Sequence, residues 1–201
     1  MNSTIGIIGV SAIGQALARQ AVRAGYEVVL SNSRGPDSLT QLVREIGPGA
    51  RSGQVRDATA ADIVAIAVPW KHLRVAVADL LPWEGRIVID TTNPIITPGF
   101  KLADLGGKTS SEVVASLVPG ARLVKAANTL PPPVLAADPR QGGGRRVLFM
   151  SGDDVAAKVD VAQVFDRMGF ATVDLGSLAI GGQMQQFPGS PLPTLNLIKL
   201  S

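Results

Sequence analysis

The first residues of the chain leave little choice of fold. Thr4-Ile-Gly-Ile-Ile-Gly-Val-Ser-Ala-Ile-Gly14 is a short apolar strand that runs straight into a glycine turn. Helical spacing begins at once, with Ile13, Leu17, Ala21 and Ala24 at three- and four-residue steps. Gly25 stops that helix, and Glu27-Val-Val-Leu30 reads as the next strand. The result is a βαβ unit whose first turn presents backbone N–H groups at a helix N-terminus, where a pyrophosphate binds. Gly9 and Gly14 stand at the outer glycine positions of the dinucleotide fingerprint, with Ser11 in the middle and Ala12 and Ile13 completing the turn. Glycine in the middle lets the backbone approach the pyrophosphate closely. Serine is small, and its hydroxyl can donate to a phosphate oxygen. On a plainer reading, Gly9 and Gly14 serve only a tight turn and helix packing.

The residues after the second strand choose the dinucleotide. NAD enzymes place an Asp or Glu on the ribose hydroxyls about 20 residues beyond the turn. This chain has Ser31-Asn32-Ser33-Arg34 there. A carboxylate would repel the extra phosphate of NADP, whereas a guanidinium and neutral hydrogen-bonding side chains hold it. The sequence therefore predicts NADP.

Further along, Pro36-Asp37 opens a helix through Ile46, ended by Gly47-Pro48-Gly49. A short strand near Arg51–Gly53 and a turn lead to Ile63-Val-Ala-Ile-Ala-Val68, the continuous apolar run of a buried parallel strand. A helix is expected over Trp70–Leu81 and a strand over Arg86–Asp90, followed by a loop to about Lys108. Helix Ser110–Leu117, strand Arg122–Ala126, strand Arg146–Met150, helix Asp153–Met168 and strand Ala171–Asp174 complete the pattern. Leu178–Leu200, with Pro188, Pro191 and Pro193, reads as broken helix and coil, and Gly142-Gly143-Gly144 as a flexible connector. Strands alternating with helices over 201 residues predict one α/β domain, residues 1–201, built on a doubly wound, mostly parallel Rossmann-type sheet. A short helical and coil extension closes the chain.

Composition narrows the function by exclusion. The chain has no cysteine, which rules out disulfides, thiol redox chemistry and thiolate metal sites. No run of about 18 apolar residues is present to cross a membrane, and Met1-Asn-Ser-Thr4 lacks the basic region of a signal peptide. A cytoplasmic location is the simplest expectation. The net charge is +3, with thirteen arginines to six lysines, but these are scattered and aromatics make up only 4%. A nucleic-acid surface would cluster them on one element. Small polyanionic cofactors suit such a balance better.

In sheets of this kind ligands bind outside the carboxyl ends of the strands. Those ends are Gly9–Gly14, Ser31–Arg34, Val68-Pro69-Trp70 with His72, Asp90-Thr-Thr-Asn93-Pro94 and Ala126-Ala-Asn128-Thr129. Asn93, Asn128 and Thr129 are candidate donors to a carboxamide or a second ligand; alternatively each is a turn residue bonding its own backbone. Carbonyl reduction calls for a proton donor, and the candidates are few. His72 lies one turn into a helix beside the crevice, or is a surface histidine. Lys125 lies near the end of a strand and points to either side. Tyr26 begins a strand at the wrong end of the sheet. Hydride transfer between two ring cofactors needs alignment and dryness more than a strong acid, and this poverty of acids fits it.

Taken together, Ile5-Gly-Ile-Ile-Gly9, Ser33-Arg34, Val68-Pro-Trp-Lys-His72, Lys125-Ala-Ala-Asn-Thr129, Ser151-Gly-Asp-Asp154 and Leu195-Asn-Leu197 resemble the NADP-dependent oxidoreductases of the deazaflavin coenzyme F-420. The resemblance implies hydride exchange between the nicotinamide C4 and the deazaflavin ring, in a homodimer. Gly9, Ser11, Ala12, Ile13 and Gly14 would meet the pyrophosphate, and Ser33 and Arg34, helped by Asn32, the 2′-phosphate. Pro69, Trp70 and His72, following Val68, would border the nicotinamide ribose. Asn93, Pro94, Asn128 and Thr129 would face the ring and the deazaflavin, with residues 178–201 walling the second-substrate pocket. Two positions depart from the family pattern: Ser11, and Ala127, where a bulky side chain or histidine is expected ahead of Pro131-Pro132-Pro133. The second departure leaves room for another acceptor, a flavin, quinone, metal chelate or small carbonyl. A non-catalytic NADP-binding sensor is a further alternative.

Overall fold

The computed structural model describes residues 4–80 and 82–200. Strand β1 (Thr4–Ile8) is followed by α1 (Ala12–Arg23), β2 (Glu27–Ser31), α2 (Thr40–Ile46), β3 (Ala50–Ser52), α3 (Val55–Thr59) and β4 (Ile63–Ile66). Next come α4 (Leu73–Val77), β5 (Ile87–Asp90), a small hairpin of β6 (Ile95–Ile96) and β7 (Lys101–Leu102), α5 (Ser110–Leu117) and β8 (Arg122–Ala126). The remainder is α6 (Pro132–Ala136), β9 (Arg140–Gln141), β10 (Gly144–Gly152), α7 (Val155–Arg167), β11 (Ala171–Asp174), α8 (Gly181–Gln185) and β12 (Ile198–Leu200).

The main sheet runs β11-β10-β8-β5-β4-β1-β2-β3. From β8 to β3 every pair is parallel, whereas β10 is antiparallel to β8 and carries β11 parallel to itself. This is the expected Rossmann-type α/β fold. Its central strands read as unbroken apolar runs because helices cover both faces. One face packs Ile5, Ile7, Leu17, Leu30, Leu148 and Phe165 into a core with α1, α6 and α7. The other packs Ile8, Val64, Ile66, Leu73, Val88 and Val114 against α3, α4 and α5.

One glycine sets the closeness of that second layer. A Cβ on Gly6 would sit 1.8 Å from the backbone oxygen of Ala58, so α3 lies directly on β1. The sequence gives only a turn in the stretch that forms α3.

Three expectations need correction. The helix predicted over Trp70–Leu81 is a 3-10 turn, Trp70–His72, followed by α4, which ends at Val77. Ala78 is extended, with ψ 147°, and Asp79 is left-handed, with φ 58°. The chain turns back there because Trp83, 3% exposed, is anchored in the core; the expected end at Leu81 lies outside the described residues. The triple glycine is a tight hairpin between β9 and β10 rather than a loose connector, with Gly142 and Gly143 at φ 59° and 75°. A Cβ on Gly144 would meet the Lys199 oxygen at 2.3 Å. That close approach belongs to β12, which pairs antiparallel with β10 (Gly144↔Leu200, Arg146↔Ile198) where coil was expected. Three isolated residues at a chain end carry no periodic signal of their own; the pairing comes from the neighbouring strand.

Candidate functional site

The glycine turn is held by backbone. The Gly9 N–H donates to the Ser31 oxygen at 2.9 Å, seating the turn against the end of β2. Gly9 has φ 96°, and a Cβ on it would lie 2.4 Å from Val68 Cγ1 and 2.6 Å from the Ala67 oxygen. A Cβ on Gly14 would lie 2.6 Å from the Gly9 oxygen. Both glycines are thus demanded by the contact of β1, α1 and the end of β4, and this contact brings the helix start to the crevice. Ser11 has φ −58°, a conformation open to any residue, which is why the middle position does without glycine here. Its Oγ accepts from the Gly14 N–H at 3.3 Å and caps α1, leaving the hydroxyl hydrogen free to donate. The N–H groups of Ala12 and Ile13 have no acceptor within the helix, as at any helix start.

Beside this turn, Asn32 Oδ1 accepts from the Arg34 N–H at 2.9 Å, and Asn32 Nδ2 donates to Ser38 Oγ at 3.0 Å. Asn32 therefore shapes the loop. Ser33 and Arg34 are exposed, and among the described residues their side chains make no hydrogen bond or ion pair. Among the described residues no carboxylate pairs with Arg34, which leaves its charge open to an anion.

The far end of the crevice is built differently. Val68 and Trp70 are half-buried, while Pro69 and His72 are exposed. The His72 ring has no hydrogen bond among the described residues. Asp90 and Lys125 are paired across β5 and β8 and wholly buried, with Lys125 Nζ donating to Asp90 Oδ2 at 3.2 Å and to the Thr92 oxygen at 3.0 Å. Asp90 also accepts from Ser111 Oγ at 2.6 Å and from the Thr92 N–H at 2.8 Å. Lys125 therefore points into the protein, where it fixes the loop carrying Asn93, and its ammonium does not face the crevice.

Asn93 and Asn128 lie together and bond each other: Asn93 Nδ2 donates to the Asn128 oxygen at 2.9 Å, and Asn128 Nδ2 to Asn93 Oδ1 at 3.0 Å. Pro94 is buried behind them. Ala127 is buried with φ 57°, and its left-handed backbone turns the chain off the end of β8 toward Asn128. Thr129 is 3% exposed, and its hydroxyl has no partner among the described residues. The Thr129 oxygen accepts from the Thr194 N–H at 2.7 Å, which ties the C-terminal segment to this end of the crevice.

Gln185, in α8, was not singled out by the sequence, where it is one of several glutamines in a stretch with no motif. It is wholly buried, and its Nε2 donates to Asn128 Oδ1 at 3.2 Å and to the Phe149 oxygen at 3.1 Å. Its Oε1 accepts from Ser151 Oγ at 2.8 Å.

At the other end of β8, beside its first residue Arg122, Asp154 caps α7. The Arg122 guanidinium, followed by the Ala157 N–H, holds its carboxyl down at about 2 against an ordinary 3.8, and the same bond raises Arg122. Among the described residues no cluster of three or more His, Asp or Glu is placed to hold a metal ion, and no helix is long and apolar enough to cross a membrane.

This geometry has relatives. Residues 4–94 match the family described as NADP oxidoreductase, coenzyme F420-dependent. The fold superposes on the crystal structure of hypothetical protein SMa0349 from Sinorhizobium meliloti with a TM-score of 0.93 and 47% identity, covering 99% of this chain and 96% of the other. A protein of Arthrobacter sp. FB24 to which F420-dependent NADP-reductase activity is ascribed gives a TM-score of 0.76 and 25% identity over 88% of this chain and 86% of that one. Metalloreductase STEAP3 of Rattus norvegicus is 30% identical over 192 residues, 94% of this chain; the chain spans 37% of that relative's length. Residues 4–94 thus resemble the NADP oxidoreductases described as coenzyme F420-dependent, and the whole chain shares its Rossmann-type fold with the Sinorhizobium meliloti and Arthrobacter proteins.

Proposed function

We propose that the protein exchanges a hydride between NADP(H) and the deazaflavin coenzyme F-420. The observation that carries the reading is the pairing of the tightly seated Gly9–Gly14 turn with the exposed, unneutralised Arg34 beside it. The residues fit the dinucleotide: the glycine turn sets the start of α1, with its N–H groups free of acceptors within the helix, at the crevice, and the Thr129 hydroxyl is a buried polar atom without a partner among the described residues. Gly9, Ser11, Ala12, Ile13 and Gly14 hold the pyrophosphate, and Ser33 and Arg34, with Asn32 shaping their loop, hold the 2′-phosphate. Val68, Pro69, Trp70 and His72 border the ribose. Asn93, Pro94, Asn128 and Thr129 face the ring, and residues 178–201 wall the second substrate.

NADPH, when bound, supplies a hydride from C4 of its ring; the deazaflavin takes that hydride and one proton from solvent, and NADP+ remains. With Lys125 buried and His72 unpartnered, the chain's own contribution is to orient and to exclude water. The same reading carries a homodimer, checked by sedimentation equilibrium, and a cytoplasmic location.

An absorbance assay with NADPH and oxidised F-420, with NADH as control, tests the reading. Bleaching with NADPH alone is expected; NADPH binding without bleaching would sink the acceptor and keep the dinucleotide. A second reading, reduction of a flavin or metal chelate, draws on the likeness to metalloreductase STEAP3. Ferric-chelate reduction by NADPH in the absence of F-420 would favour it.

A further inference from the structure

The amides of Asn93, Asn128 and Gln185 form a relay from the crevice to the C-terminal element, and backbone carbonyls fix the orientation of each. A carbonyl oxygen can only accept, so the atom facing it must be the amide nitrogen. Gln185 Nε2 faces the Phe149 oxygen at 3.1 Å, Asn128 Nδ2 faces the Gln185 oxygen at 2.8 Å, and Asn93 Nδ2 faces the Asn128 oxygen at 2.9 Å. The remaining contacts agree: Gln185 Nε2 donates to Asn128 Oδ1, and Asn128 Nδ2 donates to Asn93 Oδ1. None of the three can flip without setting oxygen against oxygen. Gln185 and Asn128 are 0% and 4% exposed and their donors are engaged. Asn93 is half-buried, and of its two amide hydrogens only one has an acceptor among the described residues.

We infer that Gln185 is a positioning residue which, through Asn128, holds Asn93 with its unpaired N–H toward the carboxamide oxygen of the nicotinamide. The inference rests on the NADP(H) reading and deepens it, because it makes α8 part of the ring site. The Asp90 network supports it from the other side, fixing the Thr92 backbone next to Asn93 through the Thr92 N–H and Lys125. Loss of Gln185 frees Asn128 on one side. Asn93→Asp removes the whole amide nitrogen, taking away the outward donor and setting an oxygen against the Asn128 carbonyl.

The test is equilibrium binding of NADPH and of adenosine 2′,5′-bisphosphate, which carries the 2′-phosphate but no ring. In Gln185→Met, NADPH is expected to weaken about five- to tenfold, with the bisphosphate unchanged. Asn93→Asp, at the half-exposed end of the relay, is expected to weaken NADPH at least as much, again with the bisphosphate unchanged, and it carries the test if Gln185→Met does not fold. Equal loss of both ligands would make Gln185 merely structural, and no loss of NADPH in either variant would remove Asn93 from the ring; both overturn the inference. A wild-type protein that binds neither ligand would fail the NADP(H) reading itself, a separate result.

Discussion

The two ends of the crevice are made on opposite principles. At the end of β2, Ser33 and Arg34 are exposed, with side chains that have no partner among the described residues, and the loop beneath them is held by Asn32 and Ser38. At the ends of β5 and β8 nearly every polar group is buried and bonded, from the Asp90–Lys125 pair to Gln185. An exposed charge gives affinity for a phosphate at little cost to folding. A buried network fixes geometry, and its removal costs stability because the groups left behind cannot reach water. On the proposed function, the first end would choose the dinucleotide and the second would align its ring.

The sharpest way to break this contrast is at the buried pair. Lys125→Met removes the only counter-ion of buried Asp90 among the described residues, leaving it to the Ser111 and Thr92 hydrogen bonds, and is expected to cost about 3–5 kcal/mol of stability, read as a fall in the denaturant midpoint. A loss below about 1 kcal/mol, in the range of a surface pair, would mean that the second end is not the rigid one. Arg34→Ala tests the other side of the comparison. It should weaken NADPH by about 2–3 kcal/mol while sparing NADH, with the melting temperature nearly unmoved. Equal loss for both dinucleotides would place the phosphate site elsewhere.

Between these extremes stands Ser11, which caps α1. Ser11→Ala is expected to cost about 1 kcal/mol of stability and Ser11→Gly only a few tenths, measured by urea unfolding. If Ser11→Gly proved the more damaging, the capping role would be wrong. The smallest effect is pH dependence at Asp154, far from the crevice. Its pKa is depressed in the folded state, to about 2 from an ordinary 3.8, so unfolding takes up a proton as pH falls. The stability it contributes is present above about 3.8 and lost as pH drops toward 2. Asp154→Asn should flatten the stability curve in that window alone, as seen in acid titrations of the melting temperature; an unchanged slope would assign the acid sensitivity to other carboxylates.

How much of this was legible in the sequence varies by the range of the interaction. The βαβ unit, Ser110–Leu117, Arg122–Ala126 and Ala171–Asp174 could be read directly, because apolar spacing and glycine stops act within one element. The helix expected over Trp70–Leu81 stops at Val77, because its end depends on where Trp83 finds a place in the core. Strand β12 was missed because its partner, β10, is distant in the chain. Arg34 could be named from the sequence because its exposure asks nothing of the rest of the fold. Gln185 could not, since its importance comes only from lying between Phe149, Ser151 and Asn128.

The sequence by itself determined the glycine turn after β1, the exposed Ser33-Arg34 on which the NADP reading rests, and the alternation that makes a doubly wound sheet. Each of these rests on a residue's own chemistry or on neighbours a few positions away. Only the tertiary structure decided that Lys125 faces inward, that Asn93 and Asn128 bond each other, and that the C-terminal segment closes on them. Those outcomes depend on which buried donors meet which acceptors across separate strands, and a linear pattern does not encode that pairing.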